Sequence, residues 1–133
     1  MTMRFGRTLC VAVALLGPVG CGGSEEPPDL PATIEAGKPL TVDAEEYFFS
    51  PNRVTIEGAP AGGARQRIQL DNSGTLAHNI EILDGDDVVA RLRSFPAGQE
   101  RGLTVDLPPG DYRFVCTVAD HDEKGMRGTL KVR

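Results

Sequence analysis

The sequence predicts an all-β protein, an antiparallel β-sandwich, on three observations. No stretch sustains a helical period, whereas many short runs alternate apolar and polar side chains. Clusters of Gly, Pro, Asn, Asp and Ser separate these runs at about ten-residue intervals. The segment so patterned is about 100 residues long, enough for one modest core.

The runs follow in order. Val42 precedes the aromatic cluster Tyr47-Phe48-Phe49, and Ser50-Pro51-Asn52 supplies a turn. Arg53–Glu57 alternates, with Val54 and Ile56 on one face. After a Gly- and Ala-rich loop at 58–64, Ile68 and Leu70 share a face, and Asn72-Ser73-Gly74 turns the chain. Over residues 77–83, His78, Ile80 and Ile82 lie on one side. Asp84-Gly85-Asp86 is a tight-turn signal, with 88–92 as the return strand. Phe95-Pro96-Ala97-Gly98 breaks that strand. Leu103, Val105 and Leu107 alternate until Pro108-Pro109-Gly110 stops them. Tyr112, Phe114, Cys116 and Val118 then share a face, and Leu130 and Val132 close the chain. Gly125 and Gly128 are expected to let the loop before them fold tightly.

The ends read differently. Arg4 and Arg7 precede an apolar stretch at 9–16 that is too short to span a bilayer. Gly20-Cys21 after it resembles a bacterial lipoprotein signal, although Pro18 stands where a leucine is usual. Residues 1–20 are therefore expected to leave as a signal peptide, with lipid on Cys21. Ordinary cleavage leaving a plain thiol, and an uncleaved anchor, are the rival readings. Residues 21–32 form an acylated cysteine and a flexible tether rich in Gly, Ser, Pro and acid. The folded domain is expected at 33–133. The protein is expected to be exported and held to a bacterial membrane, its domain facing the periplasm or the cell exterior.

The formal charge is −5. Without Arg4 and Arg7 it is −7, from 12 basic and 19 acidic residues. Nucleic acid, which wants a basic face, is not an expected partner.

The cysteines sharpen the reading. Cys10 leaves with the signal and Cys21 is acylated, so Cys116 is left without an intramolecular partner in an exported protein. Metal ligation is one explanation, and a buried, inert cysteine is the alternative. The chain has two histidines, His78 and His121, and Cys116, His121 and Met126 follow at five-residue steps. A thiolate, two imidazoles and a thioether make up a blue-copper ligand set, a His2Cys plane with a weak axial Met. Zinc would need Asp120 or Asp122 as fourth ligand, because Met serves it poorly. A nucleophilic Cys116–His pair would need an accessible thiol, whereas Cys116 sits on the core-facing side of a strand.

These residues resemble a known family. Leu-Pro-Pro-Gly-Asp-Tyr-Arg-Phe-Val-Cys (107–116), the Cys116-x4-His121-x4-Met126 loop, His78-Asn79 and the Pro51 turn are similar to the cupredoxins, the small blue-copper proteins of the plastocyanin and azurin type. The resemblance implies an eight-stranded Greek-key sandwich, one mononuclear copper and single-electron transfer. It implies His78, Cys116, His121 and Met126 as ligands, and a clamp between Asn79 and Thr117 that ties the first ligand strand to the ligand loop. Many members have Pro-Gly before the second histidine; here Ala119-Asp120 stand there. With Asp122-Glu123-Lys124 they put charge on the rim, leaving Leu76, Ala77 and Ala119 as its apolar part. The expected function is a monomeric electron carrier between redox partner proteins, not an enzyme. A copper carrier or buffer, and a non-redox structural or sensor domain of the same fold, are the alternatives.

Overall fold

The structure is a computed structural model and describes residues 28–133. The expected signal peptide and Cys21 lie outside the described residues. Ten strands follow: β1 (Pro31–Glu35), β2 (Leu40–Glu45), β3 (Phe48–Ser50), β4 (Arg53–Glu57), β5 (Ala64–Asn72), β6 (His78–Asp84), β7 (Asp87–Phe95), β8 (Glu100–Leu107), β9 (Gly110–Val115) and β10 (Arg127–Val132). No helix occurs among the described residues.

Two sheets face each other. One has six strands in the order β1-β4-β10-β9-β6-β7, and the other four in the order β3-β2-β5-β8. The connection crosses to the small sheet for β8 and returns for β9, which slots between β6 and β10. The sandwich is the expected one, with more strands than eight and with mixed pairing. β1 runs parallel to β4, with Pro31 opposite Arg53. β4 runs parallel to β10, with Arg53 opposite Thr129, and β2 runs parallel to β5. Period-two alternation says which face a residue takes but not which way its neighbour runs. The first strand also starts two residues before the expected boundary at 33.

Alternation fills the core as read. Val54, Ile56, Ile68, Leu70, Ile80, Ile82, Phe114, Leu130 and Val132 are all buried. Phe49 and Phe114 bridge the sheets, with ring centroids 5.3 Å apart. Full burial of such side chains is worth about 1.5–3 kcal/mol each. Two inward residues of β5 are polar, Gln66 and Asn72. A buried polar group without a partner costs about 1–3 kcal/mol; the Gln66 amide is engaged through both its oxygen and its nitrogen, and Asn72 through its nitrogen, its buried Oδ1 having no partner among the described residues. Gln66 accepts from the Gly37 amide at 3.3 Å and donates to the Lys38 carbonyl, pinning the β1–β2 turn. Asn72 donates to the carbonyls of Leu76 (2.9 Å) and Phe95 (3.0 Å). It thereby fixes the loop that delivers His78, a role beyond the turn former the sequence suggests.

Candidate metal centre

His78, Cys116, His121 and Met126 gather at one end of the six-stranded sheet because three strand ends meet there. β6 begins at His78, β9 ends at Val115, and β10 begins just after Met126. β9 is antiparallel to both neighbours, and its last residue, Val115, lies opposite Arg127 at the start of β10 and Glu81, three residues into β6. Cys116 is one residue past the strand rather than within it, still on the buried side with Tyr112 and Phe114.

The loop between Cys116 and Met126 is held by its own backbone. The Cys116 amide donates to the Met126 carbonyl at 3.0 Å, and the Met126 amide donates to His121 at 2.9 Å. The His121 amide in turn donates to Val118 at 3.1 Å. Gly125 takes a positive φ (106°) that an L side chain resists. Gly128 lies inside β10 instead of in the loop. Arg127 straps the outside, donating to the Asp122 carbonyl at 2.7 Å and meeting its carboxylate at 3.3 Å.

Three side-chain donors converge. Cys116 Sγ lies 3.6 Å from His121 Nδ1 and 4.0 Å from His78 Nδ1, and the ligand atoms all fall within 4.8 Å of one another. His78, Cys116 and Met126 are fully buried, and His121 is 4 % exposed. Burial pushes the Cys116 thiol up, against the opposing amides of Asn79 and Val118. Burial also pushes His78 down, against the acceptor Glu46. Both shifts favour the uncharged forms of the thiol and the imidazole, and a metal would have to displace the thiol proton.

A soft sulfur and two imidazole nitrogens suit copper. The carboxylates a zinc site would need are turned to other partners, Asp120 to Lys124 at 3.1 Å and Asp122 to Arg127. A buried thiol with a raised pKa is also the opposite of an activated nucleophile.

The clamp expected between Asn79 and Thr117 is present. Asn79 Nδ2 donates to Thr117 Oγ1 at 2.8 Å, and Thr117 N donates to Asn79 Oδ1 at 2.7 Å. Glu81 extends it, accepting from Thr117 Oγ1 at 3.4 Å and pairing with Arg91 at 2.7 Å.

Sequence reading missed the β2–β3 turn. Glu46 Oε1 lies 3.2 Å from His78 Nε2 and accepts from the amides of Thr75 (2.6 Å) and Leu76 (2.8 Å). Those amides, Leu76 foremost, hold the Glu46 carboxyl down at about 2. Tyr47 meets the His121 ring edge-on at 5.1 Å between centroids. Lys124 covers Tyr47, its Nζ 4.3 Å from the ring centre and donating to the hydroxyl at 3.3 Å. A signal for Glu46 exists in the sequence: it continues the inward parity of Leu40, Val42 and Ala44. On the rim, Leu76, Ala77 and Ala119 are exposed beside Asp120 and Lys124, as expected.

Comparison with known proteins agrees with this geometry. Residues 37–133 match the family model of copper binding proteins, plastocyanin/azurin family. A search of curated proteins finds no match. Among solved structures, dithionite-reduced auracyanin from the photosynthetic bacterium Roseiflexus castenholzii aligns at TM-score 0.63 and 21% identity, covering 74% of this chain and 98% of that one. Auracyanin B aligns at 0.61 and 25%, covering 84% and 96%. Rusticyanin from Thiobacillus ferrooxidans aligns at 0.57 and 22%, covering 76% and 82%. A sandwich with a buried His-Cys-His cluster at one end, matched over most of its length by that family, places the chain in the plastocyanin/azurin family of copper-binding proteins, with copper as its cofactor.

Proposed function

We propose that this protein is a blue-copper electron carrier, in which His78, Cys116 and His121 would hold the ion strongly and Met126 weakly. The observation that carries the reading is the convergence of Sγ and the imidazole nitrogens in a closed pocket. Bound copper supplies a one-electron couple between Cu(I) and Cu(II). The chain's own residues hold the donors still. The Asn79–Thr117 bonds fix the loop to β6, and the Cys116–Met126 backbone bond fixes it to β10. Donors already packed in place need little rearrangement when charge changes, which is what fast electron exchange requires. Tyr47 shields His121 from water. Reduced auracyanin, a structural neighbour, supports a redox role by analogy.

The carrier alternative wants exposed, exchangeable ligands, and the burial of all three donors favours a retained metal instead. We further propose that the protein is exported and lipid-anchored through Cys21, exchanging electrons with extracytoplasmic redox proteins as a monomer. The test of the copper site is an absorption spectrum. The domain loaded with one Cu(II) is expected to turn intensely blue or green through thiolate-to-copper charge transfer, and Cys116→Ser to lose the colour. A colourless wild-type adduct, or a blue Ser variant, overturns the assignment.

A further inference from the structure

Glu46 belongs to the four-stranded sheet, at the turn after β2, whereas His78 opens β6 of the six-stranded sheet. Their contact therefore crosses the sandwich. The same carboxylate oxygen, Oε1, also accepts from the amides of Thr75 and Leu76, two residues that lead toward His78. Its side chain is only 27 % exposed, and that of His78 is closed to solvent. Gly74 completes the fit: a Cβ there would strike Glu46 Oε1 and stand 3.0 Å from His78 Nε2. The loop thus closes over the pair only because residue 74 has no side chain.

We propose that Glu46 is a positioning residue for the copper site, accepting the His78 Nε2–H, aiming Nδ1 at the sulfur of Cys116 and biasing the bound ion toward Cu(II). The geometry matches the carboxylate–histidine–metal arrangement in which an outer acceptor fixes the tautomer and raises ligand basicity. With Nε2 carrying the proton, the Nδ1 lone pair faces Cys116 Sγ at 4.0 Å. A negative charge hydrogen-bonded to the ring makes it a better electron donor. Stronger donation stabilises Cu(II) more than Cu(I), because the more highly charged ion gains more. Among the described residues no other ligand meets a carboxylate in this way: His121 meets the Tyr47 ring instead.

The inference rests on the copper reading above, and the experiment separates the two. Voltammetry is run on copper-loaded wild type and Glu46→Gln. Glutamine keeps an acceptor oxygen for the loop amides but loses the charge, so a merely structural role predicts an unchanged potential. The expected result is a blue Glu46→Gln protein whose equilibrium with a reference couple moves about tenfold toward Cu(I), about 59 mV upward. Nitrogen NMR of the metal-free protein gives the second readout. His78 is expected as the Nε2–H tautomer in wild type, and as a mixture in Glu46→Ala and in Gly74→Ala, which crowds the same carboxylate from the loop side. A blue Glu46→Gln protein at the wild-type potential overturns the inference, as does an Nδ1–H tautomer for His78 in wild type. Absence of a blue band in wild type overturns the copper reading instead.

Discussion

Asn79 and Thr117 make two hydrogen bonds to each other across the β6–loop junction, and neither touches the donor atoms' side of the strand. Their effect on copper runs through the backbone that carries Cys116. Outer hydrogen bonds of this kind are worth about 10–100-fold in metal affinity or activity. Asn79→Ala is expected to keep the blue site while weakening copper by that order, measured by competition against a chelator of known affinity. Unchanged affinity would show that the clamp has no hold on the loop. At this scale the sequence was most informative about residue types that are scarce. Two histidines and one unpaired cysteine leave few arrangements to consider, and the structure brings the three together. Glu46 was harder to read. Inward parity is a weak signal in a chain with many acidic residues, and its partner His78 is distant in sequence and lies on the other sheet.

Strands were legible where one face is buried and the other wet. β4 and β5 follow their alternation residue by residue. β6 does not, because its outward residues Asn79 and Glu81 are themselves buried by the clamp and Arg91. The parallel pairs of β1, β4 and β10 were not legible, since pairing direction depends on contacts far along the chain. β9 shows how one element serves both core and site. Tyr112 lies inward, and its hydroxyl donates to the Pro108 carbonyl at 2.8 Å, locking the corner from which the strand runs to Cys116. Burial, with the nearby Asp84 charge, raises the Tyr112 pKa. A raised folded value means that the neutral hydroxyl is favoured by folding. Its stability contribution is full below the unfolded value of about 10 and is lost as pH rises above it. Tyr112→Phe is expected to lose about 0.5–1.5 kcal/mol at pH 7 with the hydrogen bond. It should also lose less further stability than wild type between about pH 9 and 11. Denaturant unfolding of both proteins across that range checks it. Parallel pH profiles would show that Tyr112 carries no linked proton.

For the whole molecule, the proposed lipid at Cys21 is the largest claim about place. Two acyl chains suffice for stable anchoring where one does not. Cys21→Ala is expected to move the protein from the membrane fraction to the soluble one, or to block its processing, read by fractionation and intact mass. An unchanged partition and mass would dismiss Cys21 as the anchor. The strand register gives such an anchor a direction. Pro31 stands opposite Arg53, and Arg53 opposite Thr129, three residues beyond Met126. The polypeptide therefore joins the sandwich at its copper end. Ten residues from Cys21 to Pro31 reach at most about 35 Å when fully extended. A leash that short, attached at that end, would point the redox centre at the bilayer, within range of partners seated in the lipid, and turn the opposite pole toward open solution.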